Sequence, residues 1–467
     1  MMWIRSRGMT SPFGWVVWGL LAVVLWSVVL WSTAAQAAAP VYRDDLDRAG
    51  IIASYEQQVQ DQSTFLNLRL LASEYLKRYR ETLDPEDLLR AETAARQSLE
   101  QLPERNGSAV FLLGSALVAQ HRFQEALDLT RPLSGLGLQT ASILMELGSL
   151  DQAKEVLENL PAPAPEDSDV SQSFASVGRL GIRSRYAELT GDLARARQLA
   201  TDFVGFIDQF YTYPVEARAW GHTRVGDLAF LMGDLAEAEA RYRTALERFP
   251  NEIPAMIGLA RVTAASHRWK EALEWSSQAA ERIPTVDSLA LKADAQEALG
   301  NVAGARVTGS LIEVVARLGS VQGIYDRSLA MYYADHGIHL PEALQIAQQE
   351  RQLRADPYTN DALAWVLAAN ERWEEAAVAM QEALQWGTAD PLFQFHAAVI
   401  ADHLQQPQKA LEHLQTALSQ NPHFHHRFGD QARQLLVLIT LGGSDVETGM
   451  PIPAVLGASV NAGAVGA

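Results

Sequence analysis

The small and apolar positions of this chain recur in a phrase about 34 residues long. It reads small-x-x-x-x-Ala, then an aromatic residue or leucine, then Ala-Leu, then Pro. One copy has Gly233, Ala238, Tyr242, Ala245 and Pro250, and the next has His267, Ala272, Ser276, Ala279 and Pro284. The interval recurs between Ala376 and Ala410 and between Ala383 and Ala417. Such spacings predict pairs of helices, because antiparallel helices approach to roughly 8–10 Å only with small side chains at the contact. Gly226, Ala238 and Ala245 supply that contact in one unit, and Ala260, Ala272 and Ala279 in the next. Val225, Tyr242, Leu259 and Leu273 fill the space between units. Pro250, Pro284 and Pro422 stop second helices, since proline has no N–H and clashes with the preceding turn. Gly233-Asp234 and Gly300-Asn301 are turn pairs.

Followed along the chain, the alanine anchor falls at Ala91, Ala126, Ala153, Ala196, Ala238, Ala272, Ala305, Ala343, Ala376 and Ala410. The array is near-regular from about residue 219 and degenerate before it. Gly114 and Gly226 occupy the eighth position of their units, and Ala260, Ala293, Ala364 and Ala398 occupy it elsewhere. The pattern resembles the tetratricopeptide repeat (TPR), a helix–turn–helix unit. The Trp and Tyr that the family places at positions four and eleven are mostly absent. Over roughly residues 70–424 the resemblance implies an all-α, right-handed superhelical solenoid of about eight to ten stacked antiparallel helix hairpins. It also implies a concave groove that binds polypeptides rather than an active site. The family's groove positions map here to Trp220, Asp227, Phe230, Arg261, Asp294, Glu297, Tyr358, Asp361, Trp365, Phe395, Asp402 and His403, with His396 beside Phe395. The Lys and Asn pattern of the family's chaperone-tail clamps is missing.

The organisation expected is a signal peptide or membrane anchor over 1–37 and a lead-in over 38–66. Degenerate hairpins follow over 67–160, a Pro-rich loop over 161–167 and the array over 168–424. A capping helix over 425–441 and a disordered tail over 442–467 complete it. The cap is required because a terminal repeat's last apolar face has no neighbour. The cluster Phe203, Phe206, Phe210, Tyr211 and Tyr213 is read as core on a lengthened second helix ending before Pro214.

At the N-terminus Arg5 and Arg7 precede an uncharged apolar run from Phe13 to Trp31 and the sequence Ala35-Gln36-Ala37. Basic start, apolar centre and Ala-x-Ala exit read as an export signal that leaves Ala38 first. The rival reading is an uncleaved anchor, since the run is long enough to span a bilayer. Both place the repeats outside the cytoplasm, periplasmic or extracellular. The net charge is −18, and loss of the two arginines takes it to −20, so no phosphate-binding surface and no nucleic-acid partner is expected. With no cysteine, thiol-redox and thiolate-zinc roles are excluded.

No phosphate loop, His-Glu-x-x-His zinc helix or nucleophile elbow occurs, so no enzyme, cofactor or metal site is expected. Histidines gather late: His336, His339, His396, His403, His413, His423, His425 and His426. His423-Phe424-His425-His426 allows a metal site or, more simply, a polar loop before the cap. The stretch from Tyr332 to Phe424 resembles the C-terminal block of a group of exported bacterial repeat proteins. Within it Asp361 and Trp365, four apart, share a helix face, as a ligand pocket or as local packing. The partner expected is a polypeptide in the groove of an envelope scaffold. The alternatives are a glycan-associated envelope or polysaccharide-export factor, and a metal-binding protein or enzyme using the C-terminal His/Asp cluster.

Overall fold

The computed structural model describes residues 47–160, 170–209, 213–321 and 327–441. The apolar N-terminal run, the Pro161–Asp167 segment, Phe210, Tyr211 and the tail after Leu441 lie outside the described residues. Among the described residues there are 22 α-helices and no strand. Helix α1 (Arg48–Asp61) leads into ten antiparallel hairpins. The first four are α2–α3 (Phe65–Thr82, Pro85–Gln101), α4–α5 (Gly107–Ala119, Phe123–Thr130), α6–α7 (Gly137–Glu146, Leu150–Glu158) and α8–α9 (Val170–Leu189, Leu193–Ile207). Next come α10–α11 (Val215–Leu231, Leu235–Arg248), α12–α13 (Ile253–Ala265, Trp269–Arg282) and α14–α15 (Val286–Ala298, Val302–Val321). The last are α16–α17 (Arg327–His336, Leu340–Leu353), α18–α19 (Pro357–Ala369, Trp373–Leu384) and α20–α21 (Pro391–His403, Pro407–Gln420). Helix α22 (Phe428–Thr440) closes the stack. No helix among the described residues is long and apolar enough to cross a membrane.

The two helices of a hairpin differ in kind. First helices sit between neighbours and are buried nearly all round: α12 buries Ala255, Met256, Ile257, Leu259 and Ala260 in succession. Second helices bury one stripe, as α11 does with Ala238, Tyr242 and Ala245, and show charge on the other side. Helix starts are set by side-chain caps. Asp356, just before Pro357, accepts from the Tyr358 N–H, Asp390, just before Pro391, accepts from the Leu392 N–H, and Thr285 with Ser288 forms a reciprocal capping box.

Nine of the ten anchor alanines are at most 1% exposed, and Ala305 is the exception. The short step from Ala126 to Ala153 reflects the short helices α5, α6 and α7. The segment after Phe203 departs from expectation. Helix α9 is not lengthened and ends at Ile207, so the extra residues connect it to α10, while Phe203 and Tyr213 do enter the core. Gly226 shows why a small residue is needed there, because a Cβ would lie 2.7 Å from the Tyr242 ring.

The stack coils until its two halves touch. The carbonyls at the C-terminal end of a helix have no partner within it. Here side chains about 190–200 residues later supply the donors. Thr388 Oγ1 donates to the Leu189 carbonyl (2.6 Å), Gln420 Nε2 to Leu231 (3.0 Å) and Asn421 Nδ2 to Phe230 (2.7 Å). Gly191, at φ +82°, lets the chain pass so close to Gly387 that a Cβ would sit 2.0 Å from its carbonyl oxygen.

Candidate partner-binding face

The side chains on the inner sides of the first helices form a network of paired charges across the two halves of the coil. Glu188 on α8 accepts from Arg185 (2.7 Å), from Arg224 and from the Tyr358 hydroxyl (3.1 Å). Arg224 also donates to Asp227 (3.0 Å), which accepts from the Tyr242 hydroxyl (2.8 Å) and Arg261 (3.2 Å). Arg185 and Arg327 lie over the Tyr358 ring at 5.2 and 5.7 Å. On the neighbouring hairpins Arg354 donates to Glu350 (2.6 Å) and, 208 residues away in sequence, to Glu146 (3.3 Å). Arg327 pairs with Asp356 at 3.5 Å.

Burial sets the electrostatics. At Glu188 burial alone would raise the carboxyl, but Arg185 and Arg224 outweigh it and lower it. Asp356 is lowered in the same way by Arg327 and Arg354. Glu252, buried beside this face, has no cation to offset desolvation and rises to about 8, with Glu216 and Asp227 adding repulsion. Burial likewise pushes Asp390 up to about 7.

The residues mapped to the groove from sequence fall into three groups. Asp227, Phe230 and Arg261 meet on α10 and α12, with the Arg261 guanidinium 5.0 Å over the Phe230 ring. Trp220 lies edge-on to Phe203 beside them. Asp361, Trp365, Phe395 and His396 come together on α18 and α20, but inside the protein. His396 Nδ1 lies 2.9 Å from Asp361, Trp365 Nε1 donates to Asp335 (2.7 Å), and Phe395 stacks on Phe428. These four are at most 3% exposed, so they face their own hairpins and the cap rather than an open groove. Tyr358 is half-buried and directed at Glu188.

Asp294 forms the third group, with His336 Nε2 at 3.0 Å, His426 Nε2 at 2.7 Å and the Arg427 guanidinium on the same carboxylate. Burial acts to raise this carboxyl, but Arg427 and the two imidazoles hold it well below the usual range. Sequence analysis left open whether the late histidines bind metal. Both imidazoles point at the carboxylate and an arginine shares it, so its oxygens are taken up by partners within the protein. Among the described residues no three His, Asp or Glu side chains are placed to hold a metal ion. His425 is half-buried, stacked on Phe428, and desolvation pushes its imidazole well down.

Glu146, Arg185, Glu188, Arg224, Arg327 and Arg354 were missed in the sequence. Their one signal was charge inside a buried run, as with Glu188 between Ala187 and Leu189. Their partners lie up to 208 positions away and have no sequence mark.

The family described as "Tetratricopeptide repeat" matches residues 229–295, which span α11 to α14. No curated protein matches. Among solved structures the chain is similar to one from the APC/C hetero-tetramer Cut9–Hcn1 (15% identity, 84% of this chain and 93% of that one, TM-score 0.32). It is also similar to yeast Tom70 (13%, 85% and 94%, TM-score 0.35). A third is a thermophilic TPR protein of Thermus thermophilus (18%, 48% and 99%, TM-score 0.26).

Proposed function

We propose that this tetratricopeptide-repeat chain is an exported, non-catalytic scaffold that holds a polypeptide in assembling a cell-envelope complex. The observation that carries the binding reading is the α10–α12 face. There the paired Arg261 and Asp227 keep 43% and 25% of their side chains exposed, whereas Arg354, Glu350 and Glu146 across the coil keep 5% or less. A face of this kind suits a polar, charged segment of partner chain. The export part rests on the basic, apolar and Ala-x-Ala sequence of the first 37 residues. No observation favours the glycan alternative, because the aromatic–acid pairs of the late hairpins, Trp365–Asp335 above all, are turned inward.

The test is site-specific photo-crosslinking in the native envelope, with the reactive group at position 261 or, as a control, at Val378 on α19. A discrete protein adduct from 261 that is absent from 378 and lost with Asp227→Ala supports the scaffold. The same adducts from both positions, or none, overturns it. Edman sequencing of the envelope form should begin at Ala38 if the leader is cleaved.

A further inference from the structure

The second helices of the array show solvent a polar stripe. On α11 it includes Arg243 and Glu247, on α13 Lys270, Glu274 and Gln278, and on α21 Gln408, Lys409 and Glu412. Helix α15 does not follow this rule. Its outward stripe is Val307, Leu311 and Val314, exposed by 65, 47 and 47%, with Val302 beside it at 51%. The reason lies in the packing. Elsewhere in the regular array a second helix lies against the first helix of the next hairpin, as α11 does on α12, α13 on α14 and α17 on α18. Helix α15 packs chiefly on its own partner α14 and turns Thr308, Ile312 and Val315 inward, meeting the next hairpin through Gly309 against Tyr332 and Glu313 beside His339, and its far side faces solvent. Ala305 is only half-buried here, and bulky Ile312 stands where other units carry the second small residue of the anchor.

We infer that this stripe is an interface between two copies of the chain, joined through antiparallel α15 helices about a two-fold axis. Three observations select a second copy as the occupant. The spacing 307, 311, 314 is the four-then-three step of a helix–helix seam. The exposed order Val-Leu-Val reads the same in both directions. An antiparallel twin therefore sets Val307 against Val314 and brings the two Leu311 side chains together at the axis, the self-complementarity that a two-fold contact requires. Ala303 and Ser310, seven apart and exposed beside the seam, leave room for the helix axes to approach closely.

Charge permits the contact. The molecule carries −18, but α15 contributes Arg306, Arg317 and Glu313 and places no acid in the seam. Paired α15 helices with the adjoining Leu299 and Ile338, also exposed, would bury on the order of 1,000 Å², the lower bound of a specific interface. The dimer expected is therefore reversible rather than obligate.

The experiment uses the full chain in mild detergent. Light scattering across a concentration series should give twice the 51.2 kDa of one chain at the upper end. Leu311→Glu should weaken the dimer by roughly 100-fold or more, because it puts two like charges at the axis. Val378→Glu, an equally exposed apolar site elsewhere, should leave it unchanged, and unaltered circular dichroism would show both variants folded. Since the chain has no cysteine, Leu311→Cys should form a disulfide-linked dimer on mild oxidation while Val378→Cys does not. A wild-type monomer at high concentration overturns the proposal, as does a dimer that survives Leu311→Glu or a Leu311→Cys chain that fails to crosslink. Covering of the stripe by the chain's own terminal segments would show as the first of these.

Discussion

Replacing Asp294 with Asn tests whether the cap is held by charge. The carboxylate receives His336 from α16 together with His426 and Arg427 from the segment that leads into α22. The Asn variant keeps the shape and removes the charge, leaving Arg427 at 17% side-chain exposure facing an amide. Breaking one side of a buried pair costs about 3–5 kcal/mol, and partial exposure with Glu297 at 4.0 Å from Arg427 puts this case near 3 kcal/mol. The contact joins the cap to the stack, so the loss should appear as local opening of α22, not as global unfolding. At about 1.4 kcal/mol per tenfold, amide exchange in α22 should quicken by roughly 100-fold. The assay is hydrogen–deuterium exchange read by mass spectrometry over Phe428–Thr440, with α2 as the internal reference. The sign with pH is fixed as well. Asp294 is depressed in the folded state, so its contribution is present above the unfolded value near 3.8 and is lost as pH falls through the folded one. Wild-type α22 should loosen only in strong acid, and the variant should lack that acid step. Unchanged exchange in α22, or equal acceleration in α2, would refute the reasoning.

Three further outcomes are expected. Glu252 is raised from 4.5 to about 8, so the folded state keeps a proton that the unfolded state releases. Stability should therefore decline as pH rises from about 4.5 to about 8, and Glu252→Gln should flatten that slope in urea titrations between pH 5 and 8. Gly191→Ala places a Cβ against the Gly387 carbonyl at positive φ, costing about 1–2 kcal/mol from the backbone before any clash. Exchange around residues 387–390 should rise, and a stability change below about 0.5 kcal/mol would count against the close approach. Asn421→Ala removes one of two donors on the Phe230 carbonyl, which keeps the Gly233 N–H at 3.0 Å, and should cost about 0.5–1.5 kcal/mol, with faster exchange confined to the ends of α10 and α21.

The sequence by itself determined the hairpin. A 34-residue recurrence of small residues with a closing proline is a local rule, each helix needing only its own turn and neighbour, and nine anchor alanines are buried accordingly. The same rule mapped inner-face positions, and Asp227, Phe230 and Arg261 lie together because units one period apart are adjacent. It also suggested that Asp361 and Trp365 share a helix, which they do. Whether that helix side meets solvent depends on how far the stack coils, and a repeat period contains no term for that. The tertiary structure alone decided that the two halves touch, that Glu188 meets Tyr358 and that the late histidines close on Asp294. It also decided that α15 turns its apolar stripe outward. Each of these depends on small rotations summed over several hairpins. No local pattern records such a sum, so contacts between residues more than 130 positions apart are absent from the sequence even when every helix in it can be read.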